Sequence, residues 1–385
     1  MKHFFLLGVL FFSCKKNIVH NDSNKKTKTN IILKKNCPPG FELNNKNECI
    51  NRNLYQQYES LENKGVGGLK TALPRIRDGF SPQQIDLGRY LFFDPVLSLD
   101  SSISCASCHQ PNKGFSDGLA FSNGIQGRKT LRSAPSLWNV AFLNKYFWDG
   151  HSNSLEEQVL GPLYGVNEMG NNPSQLLQTL NSIKTYKKLF KTAFPLRNAE
   201  DIQLKELYTA ITAFQTSLIS LNSRYDQYAH GYHQALTQDE IEGMNVFRSF
   251  VARCAECHTP PLFTNQQIDV IGIPTHEEQD FDKGAELTSK DKSLRGAFKV
   301  PSLRNIELTA PYEHNGVFKT LEEATRFYTK GRGHAVNDSL DLILHWHIWE
   351  PKLKEKEIYQ VVAFLKTLTD ESFKPEIPTT LPSNL

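Results

Sequence analysis

The segment Cys105-Ala106-Ser107-Cys108-His109 recurs 149 residues later as Cys254-Ala255-Glu256-Cys257-His258, and no other feature restricts the fold as tightly. In a C-x-x-C-H segment two thiols can form thioethers with the vinyl groups of a haem while the adjacent imidazole binds the iron from below, so each copy reads as a c-type haem site. Paired C-x-x-C knuckles also hold zinc, but those lie about 15 to 20 residues apart and need no histidine after the second cysteine. A thioredoxin-like dithiol needs a βαβ setting that neither copy has. The chain is therefore expected to wrap two covalently bound haem c groups.

With 385 residues, 39% of them hydrophobic, the chain can fill two cores, each enlarged by an apolar macrocycle. The net charge of +3 is spread without a basic tract, which argues against nucleic acid as a partner. Met1-Lys2-His3 followed by the apolar run Phe4 to Phe12 matches an export signal and is too short to span a bilayer. The run ends Phe12-Ser13-Cys14-Lys15, close to a bacterial lipoprotein box, so Cys14 is expected to carry a lipid that anchors a periplasmic protein; an ordinary cleaved signal is the alternative. Of the seven cysteines, four belong to the haem motifs and one is Cys14, leaving Cys37 and Cys49 to close a small loop as a disulfide.

The expected organisation is a signal over 1–14, an Asn/Lys-rich tether over 15–70 carrying the Cys37–Cys49 module, a first haem domain over 71–225 and a second over 226–385. Ser81-Pro82 opens a helix that Asp94-Pro95 ends, and the first haem motif follows in a loop. Amphipathic stretches run from Ser174 to Phe190 and from Asp201 to Ile219. Thr237-Gln238-Asp239-Glu240 is a capping box that leads a helix to the second motif, and a last helix covers Glu355 to Thr369. Strand patterns are scarce, so the fold class is mainly α, with long loops around the haems.

The halves match beyond the motifs. Pro135 to Phe142 aligns with Pro301 to Leu308 at an offset of 166, which also pairs Tyr146 with Tyr312, Gly150 with Gly316 and Leu155-Glu156-Glu157 with Leu321-Glu322-Glu323. This reads as two cytochrome c-like domains related by internal duplication. The second copy carries 17 extra residues, placed in the polar loop around Gln279 to Arg295. In the shared frame Trp148 pairs with His314, Pro162 with Tyr328, and Glu168 with His334. Proline has no side-chain donor for iron and tyrosine has a phenolic oxygen, so the first iron is expected to be open and the second closed.

These residues give the chain a specific resemblance to the bacterial di-haem cytochrome c peroxidase family, which includes MauG-like members. The match covers roughly residues 80 to 370 and is carried by Leu87-Gly88-Arg89, Asp94-Pro95, both haem motifs, Phe147-Trp148-Asp149-Gly150, Leu155-Glu156-Glu157-Gln158, Glu168-Met169-Gly170 and Leu308-Thr309-Ala310-Pro311-Tyr312. The resemblance implies a peroxidatic N-terminal haem held by Cys105, Cys108 and His109, and an electron-transfer haem held by Cys254, Cys257 and His258. It also implies that Glu168 and Gln158 line a peroxide pocket and that Trp148 lies between the haems. A carboxylate above an open iron can move the proton that O–O heterolysis requires. The implied partners are hydrogen peroxide and a small donor protein, a cytochrome c or a cupredoxin, and a homodimer is compatible with the resemblance.

Departures from the family pattern sharpen the expectation. No histidine lies between Gln110 and Gly150, so the first haem should need no reductive opening. No methionine follows His258, and Tyr328 stands where ordinary members place their methionine ligand, as in MauG-like members; His276, His334, His345 and His347 are competing ligands. An oxygen donor favours ferric iron and lowers the potential, which leaves room for a MauG-like oxidation of a protein; a pure electron carrier is the third reading. His151 replaces the arginine that usually follows the Trp-Asp-Gly run, and His345-Trp346-His347 reads as packed structure beside Ile348-Trp349. The family's calcium, held by an asparagine and two carbonyls, would here meet Ser133 in place of the asparagine, with Thr309 and Pro311 at the carbonyl positions.

Overall fold

Apolar side chains recurring at three- and four-residue steps between capping signals make helices the dominant element of this chain. The computed structural model describes Met1 and residues 31–52, 73–196, 199–331 and 333–385. Cys14, the export run and most of the 15–70 segment lie outside the described residues. Two units are distinguished, Met1–Ile31 and Ile32–Leu385, and the second carries every feature below.

In chain order the helices are α1 (Pro82–Phe93), α2 (Cys105–Cys108), α3 (Leu155–Gln158), α4 (Leu160–Tyr164), α5 (Pro173–Ser182), α6 (Lys184–Ala193), α7 (Leu204–Thr216), α8 (Arg224–Ala229), α9 (Gln238–Arg248), α10 (Cys254–Cys257), α11 (Glu286–Ser289), α12 (Leu321–Tyr328) and α13 (Glu355–Lys366). Two small antiparallel hairpins complete the set: β1 (Phe41–Leu43) with β2 (Cys49–Asn51), and β3 (Ile268–Val270) with β4 (Ala297–Lys299). Among the described residues no helix is long and apolar enough to cross a membrane.

Reciprocal capping boxes start the principal helices at Ser81 with Gln84, Thr237 with Glu240 and Thr320 with Glu323. Two expectations need correction. The stretch from Ser174 to Phe190 is two helices, because Ile183 is extended (φ −93°, ψ 103°) and the Asn181 side chain is drawn away to accept from Ile202 N–H. The haem motifs are single helical turns rather than loops, since the N–H of each histidine donates to the carbonyl of the first cysteine of its motif.

Each half is built on a helix pair that meets at a glycine. A Cβ on Gly88 of α1 would lie 1.8 Å from Ala210 O of α7, and a Cβ on Gly243 of α9 would lie 1.8 Å from Gln360 O of α13. Backbone contact at these crossings leaves no room for any other residue. Against the first pair packs an aromatic core with Phe92, Phe115, Trp138 and Phe214, which Cys105 touches. The second core contains Tyr225, Phe247, Phe263 and Phe364, which Cys254 touches.

Local geometry repeats at the 166-residue spacing. Asn139 and Asn305 are both left-handed (φ 62° and 59°), each before a short 3₁₀ turn, Val140–Phe142 and Ile306–Leu308. Bridges Tyr146–Ser152 and Tyr312–Phe318 close equivalent turns. The matched positions Trp138 and Arg304 differ in chemistry. Trp138 packs edge-on against Phe115, whereas Arg304 is fully buried in a two-point ion pair with Asp226, at 2.5 and 2.8 Å.

The Cys37–Cys49 disulfide is present. Its hairpin is part of the body rather than a free module, because Cys49 N–H donates to Phe80 O, Lys34 N–H donates to Asp86, and Cys49 is buried with Phe80, Ile85 and Ala213. The tether reading therefore fails for residues 31–52.

Candidate functional site

At the first motif, Ser104 N–H is taken by Ser107 Oγ (3.0 Å), which fixes the turn α2. His109 Nδ1–H donates to Phe115 O at 2.9 Å, so the tautomer is set and Nε2 is left free to bind iron. Burial lowers the pKa of this imidazole and keeps it neutral. The second motif repeats the arrangement: His258 Nδ1–H donates to Phe263 O at 3.1 Å, and burial pulls its pKa down to about 4. None of the four motif cysteines is in a disulfide. Two thiols beside a neutral imidazole with an available Nε2 fit covalent haem at both places.

Glu168 follows α4 in a tight turn held by Glu168 N–H to Gly165 O and by Ile125 N–H to Glu168 O. The approach is close enough that a Cβ on Gly124 would lie 2.1 Å from Asn167 O. This brings the Glu168 carboxyl within electrostatic range of Cys105 and Cys108, and its own burial raises its pKa. Gln158 closes α3, half-buried, and Pro162 lies in α4 with its carbonyl accepting from Met169 N–H.

The second motif opens onto a cavity of about 230 Å³ lined by Cys257, His258, Trp148, Lys299, Glu313 and Tyr328, among others. The Tyr328 phenol donates to Glu313 Oε1 at 3.0 Å. Burial, reinforced by Glu313, holds that phenol's pKa well above its ordinary value, and burial pushes the Glu313 carboxyl up to about 7. Of the competing histidines only His347 lines this cavity, and its Nε2 faces Glu256 at 2.9 Å. His276 packs edge-on against Phe121, His334 is bonded to Gly331 O, and His345 Nε2 lies 3.9 Å from Asp269. The 345–349 run is packed in part, with His347, Ile348 and Trp349 lining the cavity. Trp346 is 63% exposed, with its ring on His347.

Between the two motifs runs a seam in which the halves exchange backbone bonds. Ser133 N–H donates to His314 O (2.8 Å), and at the positions 166 residues on, Lys299 N–H donates to Trp148 O (2.7 Å). Trp148 Nε1–H donates to Ser133 O at 2.8 Å. The Phe147–Gly150 turn touches both sides: Phe147 meets Gly161 of α4, while Trp148 lines the second cavity. Arg132 joins Asp149 (3.0 Å) to Asp282 (2.6 Å), and Gln279 donates to Leu131 O. The loop around Gln279 to Arg295 is thus a clasp from the second half onto the first. His151 stacks on Phe147 and donates to Asp149 at 2.5 Å.

The expected calcium does not fit these residues. The Ser133 hydroxyl donates to Glu313 O at 2.9 Å, and its N–H and C=O are already paired. The Thr309 and Pro311 carbonyls would remain as two neutral protein oxygens, whereas calcium takes six to eight oxygens. Among the described residues no group of three or more His, Cys, Asp or Glu side chains is arranged to hold an ion.

Sequence reasoning missed Glu313, Lys299 and the Arg132–Asp282 clasp. Glu313 had a signal: the shared frame sets it against Phe147, a carboxylate opposite an aromatic at a turn position.

The family described as di-haem cytochrome c peroxidase matches residues 82–234. The chain is 32% identical over 323 residues to a cytochrome c551 peroxidase of Nitrosomonas europaea, covering 84% of this chain and 89% of that protein. It is also 32% identical over 299 residues to the methylamine utilization protein MauG of Methylorubrum extorquens, covering 77% and 81%. Among solved structures, a MauG-like protein associated with microbial copper homeostasis superposes with a TM-score of 0.71 at 32% identity, over 78% of this chain and 93% of that one. The diheme peroxidase BthA of Burkholderia thailandensis gives 0.69 at 26% identity, over 80% and 90%.

Proposed function

Because this chain belongs to the di-haem cytochrome c peroxidase family, whose members carry two c-type haems, we propose that it reduces hydrogen peroxide at the Cys105–His109 site, using electrons from a small redox protein that arrive through the Cys254–His258 site. A c-type haem supplies, when bound, an iron that changes oxidation state and can accept peroxide on a face left open by the protein. His109 Nε2 and His258 Nε2 would hold the two irons, and Tyr328 Oη would be a further protein donor on the Cys254–His258 side.

The desolvated Glu168 carboxyl beside Cys105 and Cys108 carries this reading. As the base it takes the proton of the inner peroxide oxygen on a carboxylate oxygen and returns it to the outer one, so that water leaves. Gln158 orients the peroxide by hydrogen bonding. Trp148, bonded to both sides of the seam, is the bridge for electrons. Peroxide consumption with reduced cytochrome c tests the proposal. Turnover together with a high-spin ferric signal is expected; no turnover would remove the peroxidase reading, and low-spin iron at both sites would point to a pure carrier.

A second reading, MauG-like oxidation of side chains on a protein partner, is favoured by Tyr328 with its Glu313 partner, since an oxygen donor lowers the potential that an electron store would need. A high-spin signal without cytochrome turnover would favour it.

The recurrence of turns and bridges at one spacing, with a glycine-crossed helix pair in each half, supports internal duplication, with haem domains over 71–225 and 226–385. The disulfide and the thioether-forming motifs suit an oxidising compartment, which supports export to the periplasm.

A further inference from the structure

The seam carries its own cation. Lys299 lines the same cavity as Ser133, Thr309 and Pro311, the three positions that the family's calcium would use. Lys299 is also the residue 166 positions after Ser133, so the ammonium-bearing residue and the residue in place of the asparagine ligand occupy matched places on the two halves. Their backbones bond reciprocally across the seam, Ser133 to His314 and Lys299 to Trp148. No carboxylate pairs with the Lys299 ammonium among the described residues, and burial draws its pKa down to about 8. An unpaired cation in a cavity wall repels a second cation and attracts an anionic group of whatever fills the cavity.

We propose that the seam between the two haem sites is held without calcium, its hydrogen bonds joining the halves and Lys299 supplying the fixed positive charge. The Ser133 hydroxyl is committed to Glu313 O, so the side chain that would have to turn toward an ion instead locks the turn bearing Glu313. The inference concerns the seam and is independent of whether peroxide or a protein is the substrate.

The test uses the full-length holoenzyme with both haems attached. Metal analysis should find no stoichiometric calcium, and neither EGTA nor added calcium should move the melting temperature or either haem midpoint potential. Lys299→Gln should shift the midpoint of the Tyr328-side haem to more negative values, because a lost positive charge destabilises the reduced iron, while Lys299→Arg should restore it and leave the other haem unmoved. One calcium per chain whose removal by EGTA lowers the melting temperature would overturn the proposal. So would a Lys299→Gln protein with both haems bound and an unshifted midpoint. If Lys299→Gln does not fold, the calcium measurements on wild type decide alone.

Discussion

The Tyr328 phenol hands its hydrogen to the Glu313 carboxylate across 3.0 Å, inside the cavity that faces His258. An acceptor placed on a phenol makes its oxygen a stronger donor to a metal. Tyr328→Phe is therefore expected to change the resting ferric spectrum of the second haem and leave the first as it was. Glu313→Gln should raise the midpoint of the second haem. An unchanged second haem in Tyr328→Phe would remove this residue as the ligand.

Glu168 must be ionised to act as a base, and its burial raises its pKa. Turnover should accordingly be low below that pKa and rise as pH increases through it, with the limb above the range of an ordinary carboxylate. Glu168→Gln should lose roughly 10²- to 10⁴-fold in kcat and lose that limb as well. The pH profile of kcat for the two proteins is the measurement.

Trp148→Phe removes the donor to Ser133 O while keeping an aromatic ring. Leaving that buried carbonyl unpaired should cost about 1–3 kcal/mol in thermal or denaturant unfolding. Stopped-flow spectra after peroxide addition should show slower oxidation of the second haem, with haem content intact. Unaltered electron equilibration would take the indole out of the path.

Gly88→Ala and Gly243→Ala each drive a methyl group into a backbone carbonyl. Each should destabilise the protein by about 1–3 kcal/mol or more, seen as a lowered melting temperature. Gly127→Ala is the mild comparison, since nothing lies within 4 Å of its added Cβ, although its φ of +71° still disfavours alanine.

Much of the fold was legible because its signals are local. Ser81 with Gln84 and Thr237 with Glu240 mark helix starts by side chains that bond within one turn. The 166-residue frame paired Pro162 with Tyr328 from sequence alone. Its limit was that it compared side chains position by position, whereas Glu313 matters through a contact with Tyr328, 15 residues away. Lys299 was invisible for the same reason: a lysine in a sequence reads as solvated, and only the cavity around it shows otherwise. Ile183 broke a convincing amphipathic pattern because Asn181 bonds to Ile202, a tertiary contact that periodicity does not encode.

The two reciprocal seam bonds, Ser133 to His314 and Lys299 to Trp148, run through main-chain atoms. The span between the two metal centres is thus set by peptide geometry, and the Trp148 and Ser133 side chains reinforce it. Spacing and driving force become separate variables. Substitutions at Lys299 can retune the voltage between the centres without lengthening the gap, and the transfer rate should show no dependence on solvent viscosity.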